Sequence, residues 1–220
     1  MSAPGLTLAL DASTYVGTVA VLREGAVVAA REAMMRGEHE ERLMPAVLAA
    51  LADAGAAPRE VACVVCGAGP GSFTSLRIAA GIAKGIAHGA GVPLYAVSSL
   101  ALVVAGADPA LPAGRYVAAL DAMRGERYAQ LIERHDDGRV TVGGDAALAT
   151  VEQLAALGLP VVGPLEAEPR APHARGVEHL LDECLAAGPV DLDGWEPSYG
   201  RLAEAQVRWE AAHGRPLARG

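Results

Sequence analysis

The chain has 220 residues, 52% apolar and 20% charged, with a formal net charge of −8. A chain of this size and apolar content buries roughly 70% of the surface its unfolded form exposes, which excludes disorder over most of its length. The acidic balance excludes a stand-alone nucleic-acid binder, because phosphate contacts need a basic surface. Only eight residues are aromatic, so the core must be filled by Val, Leu, Ile and Ala with backbones packed close together. All but one of the eighteen basic residues are arginine, a bias of GC-rich coding that carries no functional weight.

Residues 6–11 (LTLALD), 16–22 (VGTVAVL) and 26–33 (AVVAAREA) read as three successive strands, with Glu24-Gly25 as the hairpin signal between the last two. The opening MSAPGLTLAL reaches Asp11 without a basic leader or a bilayer-length apolar run, so a cytoplasmic protein is expected. Beyond Glu38 the period becomes helical: Leu43, Val47 and Leu51 recur until Gly55, and Pro45 should start or kink this helix. Residues 61–67 (VACVVCG) read as a strand buried on both faces. Its Cys63 and Cys66 are three positions apart and point to opposite faces, which argues against a redox or zinc pair. A glycine-rich loop follows, then a helix over 74–89 capped by Ser72 or Thr74, a strand at 94–97, and a helix opening at Ser98 or Ser99.

In the second half, Leu120-Asp121-Ala122 repeats Leu10-Asp11-Ala12 at an offset of 110 residues, in both places where a strand ends in Asp and a second strand returns. The repeat predicts two related lobes, 1–106 and 107–220, joined by a linker at 107–114. A strand at 139–143, a helix at 150–157, a strand at 159–163, a Pro-rich loop at 164–172 and helices at 175–187 and 201–213 complete the expectation. The last of these is a candidate to pack back on the first lobe.

The loop GAGPGSFTSLRIAAG, 67–81, carries the chemistry. Glycines between a strand and a helix let backbone N–H groups cradle an anion at the helix N-terminus. The loop lacks both the Gly-Lys-Ser/Thr of a P-loop and the third glycine of a dinucleotide fingerprint, so a tight strand-to-helix turn is the competing reading.

The string GAGPGSFTSLRIAAGIAKGIA resembles the signature of the TsaB (YeaZ) family. The segments LALDASTYVGTVAVL, GEHEERLMPAVLAAL, YAVSSL, LDAMRGERY and EPSYGRLAEA agree in order and spacing over nearly the whole chain. Ser75 and Ala79 depart from the pattern, standing where the family commonly has glycine. The resemblance implies an α/β, actin-like and sugar-kinase-like fold of two related ribonuclease-H-like lobes. It also implies a vestigial nucleotide cleft at Asp11, Ser13, Thr14, Gly69, Gly71, Ser72 and Asp121. It implies a non-catalytic role beside the related protein TsaD and the ATPase TsaE in making threonylcarbamoyladenosine in tRNA. The chain would then carry no catalytic residue, reach tRNA only through the complex, need no cofactor of its own, and leave ATP or ADP to a subunit junction.

The catalytic sibling resembles a metalloprotein with a His-x-x-x-His pair on the helix after the third strand. Here His39 has Leu43 four positions on, so the pair is absent and no metal is expected. Gly81, Gly85 and Gly89 recur every four residues on one helix, flanked by Ile78, Ile82 and Ile86. Three helical glycines, each about 1 kcal/mol worse than alanine, call for a close neighbour: the chain's own sheet or another subunit. TsaB-like proteins associate through this pair of helices, which places Leu43, Val47, Leu51 and the Gly81–Gly85–Gly89 stripe in a seam with TsaD or a second copy. Arg77, Lys84 and His88 exclude a membrane span there. Two rivals stand beside this reading. One is a small ATP-dependent kinase of the same fold; the other is a protease, for which neither a Ser-His-Asp elbow nor a His-Glu-x-x-His exists.

Overall fold

The computed structural model describes residues 5–35 and 41–200. Three strands, β1 (Leu6–Asp11), β2 (Val16–Arg23) and β3 (Ala26–Met34), form an antiparallel meander. The hairpin between β2 and β3 closes at Glu24 and Gly25, both at positive φ (52° and 86°), the two-residue turn whose twist matches the strands. Next comes α1 (Leu43–Asp53), whose first amides, Leu43 and Met44, donate to the Glu41 carboxylate. The helix therefore begins two residues ahead of Pro45, which sits in the first turn, where its missing N–H costs nothing.

The chain returns through β4 (Cys63–Gly67), which pairs parallel with β1, then α2 (Phe73–Ala90) and β5 (Leu94–Val97). The five strands lie in the order β3-β2-β1-β4-β5. On β4, Val64 and Cys66 face one core and Val65 the other, so the two cysteines are separated across the sheet and remain free thiols. A short helix, α3 (Ser99–Ala105), is buried at every residue and capped by Ser98, whose hydroxyl accepts from Ala101 N at 3.4 Å.

The second sheet contains β6 (Gly114–Asp121), β7 (Glu126–Arg134), β8 (Val140–Thr150) and, after α4 (Val151–Ala156), β9 (Val161–Val162). Its order, β8-β7-β6-β9, repeats β3-β2-β1-β4 of the first sheet, with the same antiparallel meander and the same parallel fourth strand. Two expectations need correction. The strand predicted to end at 143 runs through Gly143-Gly144 to Thr150, because β7 continues to pair with it past an irregularity at Ala129/Leu131. The helix predicted over 175–187 is a 3₁₀ segment, Ala174–His179, followed by α5 (Leu181–Ala187). Gly176 lies in the 3₁₀ segment where it passes closest to the end of α3: a Cβ there would lie 2.6 Å from Gly106 N.

Three cores result. One lies between the sheets and takes in α3, the 3₁₀ segment and α5; Leu100, Leu102 and Ile132 are sealed in it. Burying each such side chain contributes about 1.5–3 kcal/mol. A second joins the outer face of the first sheet to α1 and α2, and a third, smaller one joins the second sheet to α4. Residues 173–199 return across the first lobe: Val190 N donates to Leu94 O at 2.8 Å, and Ser198 N to Ala68 O at 2.7 Å. The predicted helix 201–213 lies outside the described residues. Among the described residues no helix is long and apolar enough to cross a membrane.

Candidate functional site

The repeat in sequence is a repeat in geometry. At the end of β1, Asp11 Oδ1 accepts from Ser13 N at 3.0 Å; at the end of β6, Asp121 Oδ1 accepts from Met123 N at 2.9 Å. Both turns, with the loop leading into α2, enclose a cavity of about 690 Å³ between the lobes. Of the seven residues assigned to a nucleotide cleft, Ser13, Thr14, Gly71, Ser72 and Asp121 line this cavity.

Asp11 and Gly69 do not. Asp11 is fully buried: Oδ1 also accepts from Ser13 Oγ at 2.7 Å, and Oδ2 accepts from Ser99 Oγ at 2.5 Å. Burial pushes its carboxyl above the ordinary range, against the pull of these hydrogen bonds. Gly67 makes the burial possible, since a Cβ there would run into Asp11 Oδ2. Gly69 (φ 80°) is covered by the returning segment, and a Cβ on it would strike Ser198 O.

The glycine-rich loop is spent on the fold. Gly69 N donates to Ser99 Oγ at 3.0 Å, Ser72 N to Ser13 O at 2.7 Å, and Ala68 N to Val97 O at 2.7 Å. Ser72 holds the N-cap position of α2, yet its hydroxyl pairs with Ser75 Oγ at 3.0 Å instead of an amide. Of the two repeated aspartates only Asp121 reaches the cavity, where Arg124 and the first turn of α2, which has no side-chain cap, also stand. Among the described residues no cluster of three His, Cys, Asp or Glu side chains is placed to hold a metal. His39 lies outside the described residues.

The returning segment closes one side of the cavity. Tyr199 packs on Phe73 with ring centroids 4.5 Å apart, and the Arg77 guanidinium lies 4.4 Å from the Phe73 centroid and donates from Nε to Tyr199 Oη at 3.3 Å. Sequence reasoning missed this cavity wall, because Tyr15, Phe73, Tyr128 and Tyr199 share no local motif.

The two-helix seam is altered in its details. Leu43, Val47 and Leu51 are no more than 1% exposed and lie beneath the sheet, so they cannot form part of a docking face. Leu48, 47% exposed, stands on the outer side of α1. On α2, Ala79, Ala83 and Ala87 take the sheet side, while a Cβ added to Gly81, Gly85 or Gly89 would meet nothing within 4 Å. The chain's own sheet is therefore not the reason for the glycines. Ile78, Ile82 and Ile86 are half-buried along the edge of the stripe.

These features define a class: two ribonuclease-H-like lobes in an actin-like, sugar-kinase-like arrangement, with the Asp11 carboxylate of the first lobe sealed in. A family model described as "TsaD: tRNA N6-adenosine threonylcarbamoyltransferase" matches residues 32–179. The "tRNA threonylcarbamoyladenosine biosynthesis protein TsaB" of Bacillus subtilis is 31% identical over 92% of this chain and 96% of its own length. The protein of the same description from Escherichia coli is 39% identical, in a match that spans 60% of this chain and 56% of that protein. A crystal structure described as "an uncharacterized protein with similarity to peptidase YEAZ from Pseudomonas aeruginosa" superposes with a TM-score of 0.75 at 31% identity, covering 90% of this chain and all of that one. A second, "YeaZ from Pseudomonas aeruginosa", gives 0.72 at 29% identity, covering 89% and 99%. The chain belongs to the TsaB (YeaZ) family.

Proposed function

We propose that this protein is the non-catalytic partner subunit in the formation of threonylcarbamoyladenosine in tRNA, binding a TsaD-type enzyme that carries the transfer. The names of the Bacillus and Escherichia relatives support its place in that biosynthesis. The observation that carries the docking role is the open glycine stripe on α2: three helical glycines with empty space above them cost the isolated chain stability and let a second helix come close. The seam is formed by Gly81, Gly85 and Gly89 with Ile78, Ile82 and Ile86, and by Leu48 of α1. The same face would serve a second copy when the enzyme is absent, and TsaE and tRNA would join through the assembled complex. The sealed Asp11 weighs against the kinase alternative. A peptidase activity gains no support from the site, where the hydrogen-bond partners of Ser13, Ser72 and Ser99 include no histidine.

The test is reconstitution with the cognate TsaD and TsaE, the threonylcarbamoyl adenylate and unmodified tRNA. Omitting this protein should abolish or strongly slow the modification. An unchanged rate would refute the role.

A further inference from the structure

Strand β6 runs between two pockets. Asp121 at its end lines the interlobe cavity; Gly114 at its start lines a second, polar pocket of about 530 Å³. The end of β7 and the turn after it, Glu133, Arg134, His135, Asp136 and Asp137, form most of the remaining wall. Gly114 is the cross-strand partner of Arg134, so no side chain stands opposite the arginine there. A Cβ on Gly114 would meet only the Tyr116 ring, at 3.9 Å.

Arg134 is 8% exposed, and its Nη1 is buried without a hydrogen-bond partner. Among the described residues its side chain makes no hydrogen bond and no ion pair at all. Its Nη2 and the ring of His179 come together over Gly138. Burial, and then the Arg134 charge, lower the His179 pKa, so that neighbour is a neutral ring and not an anion. An unpaired buried guanidinium is strongly destabilising, and a fold that keeps one implies an anion brought to it from outside.

The rest of the wall narrows what that anion is. Asp137 is already engaged, its Oδ1 by Arg139 N at 3.0 Å and its Oδ2 by Arg139 Nε at 2.7 Å, and His135 Nε2 lies 2.9 Å from Thr141 Oγ1. Glu133 and Asp136 are exposed, and neither carboxylate has a hydrogen bond or ion pair among the described residues. Inorganic phosphate would gain Arg134 but be repelled by both carboxylates, and a metal ion would gain the carboxylates but be repelled by Arg134. A ligand that carries a carboxylate and an ammonium group satisfies both sides, the first matching the planar fork of a guanidinium. The volume lies within the range of small-molecule sites.

We propose that this pocket binds a free α-amino acid, with its carboxylate on the Arg134 guanidinium and its ammonium group on Glu133 and Asp136. The site shares no residue with the interlobe cavity or the glycine stripe, so it stands or falls separately from the partner role.

The experiment is an NMR titration of the ¹⁵N-labelled full chain with the protein amino acids one at a time, and with acetate, methylammonium and inorganic phosphate as comparisons. One or more amino acids should shift the Gly114, His135 and Gly138 amide signals saturably, and bind at least about tenfold more tightly than any of the three ions, because only they meet both charges. Arg134→Met should weaken that binding about tenfold or more without lowering the melting temperature, since it removes an unpaired buried charge. Glu133→Gln combined with Asp136→Asn, both at exposed positions, should weaken the amino acid about tenfold and leave acetate binding no weaker. Four results would overturn the proposal: no saturable binding of any amino acid, acetate or phosphate binding as tightly, amino-acid binding indifferent to either variant, or a lowered melting temperature for Arg134→Met, which would make the guanidinium a structural group. The enzyme partner takes part in none of these measurements.

Discussion

Asp11 and Asp121 stand 110 positions apart and make the same bond to the amide two residues on, yet one is fully buried and the other lies at the cavity wall. The difference is Ser99, whose hydroxyl reaches Asp11 Oδ2 at 2.5 Å from the start of α3. The second lobe has no described helix in the place of α3, so its aspartate stays open. Two copies of one motif thus serve different ends: the first anchors the meeting of β1, β4 and α3, and the second faces the cleft.

Gly67 is the position on which that anchoring depends. Gly67→Ala places a methyl against the Asp11 carboxylate and 3.0 Å from Ser99 Oγ. Neither neighbour can move without breaking the network, so a loss of about 1–3 kcal/mol is expected, read as a lower urea midpoint with an unchanged slope.

The pH dependence of Asp11 has a definite sign. Its folded pKa is raised above the ordinary 3.8, so between those two values the native state holds the proton that the unfolded chain has released. Its contribution is complete below pH 3.8 and is lost as the pH rises through the folded pKa. In urea titrations from about pH 4 to 7, Asp11→Asn should flatten the stability curve relative to the parent. Parallel curves would contradict the assignment.

His173 runs the other way. Burial, then the Arg175 guanidinium, lowers its pKa from 6.5 to about 4, although Asp108 acts to raise it; Glu32 Oε1 lies 3.5 Å from its Nε2. Its neutral ring accepts the Arg175 amide at Nδ1, at 3.0 Å. Stability is therefore present above pH 6.5 and is lost as the pH falls toward 4, by up to about 3 kcal/mol. His173→Asn keeps an acceptor and should remove that acid-side loss, measured by thermal melts across the window.

Much of the fold was legible because it is local. The meander, the helical period after Leu43, the Ser98 cap and the Asp repeat all show in short windows of sequence. What was not legible depends on distant neighbours. Asp11 read as a cleft residue because its partner Ser99 is 88 positions away. Gly143-Gly144 read as a strand end, yet β7 holds the strand past it. Leu43, Val47 and Leu51 read as a docking stripe, but an apolar helical face does not reveal whether its own sheet has already covered it. For the Gly81–Gly85–Gly89 stripe the spacing left two readings, and only the packing of Ala79, Ala83 and Ala87 on the sheet removed one.

Thr18 tests how the returning segment is held. Its hydroxyl accepts from the buried Ala174 N at 3.0 Å, across 156 positions of sequence. Thr18→Val keeps the shape and leaves that amide unpaired, at a cost of about 1–3 kcal/mol. Hydrogen exchange at Ala174 and through the Ala174–His179 segment should accelerate correspondingly.

An exposed glycine stripe, and not a catalytic centre, is what we propose this chain contributes to the complex. Gly85 has nothing within 4 Å of where a Cβ would stand, so Gly85→Ala should stabilise the isolated protein by about 1 kcal/mol and Gly85→Leu should leave it folded. The most direct measurement is the rate of threonylcarbamoyladenosine formation in the reconstituted mixture with Gly85→Leu in place of the parent, alongside co-elution with TsaD on a sizing column. The account predicts that the complex separates and the rate falls to that of the mixture lacking this protein. A folded Gly85→Leu variant that still co-elutes with TsaD and supports the full rate would contradict it.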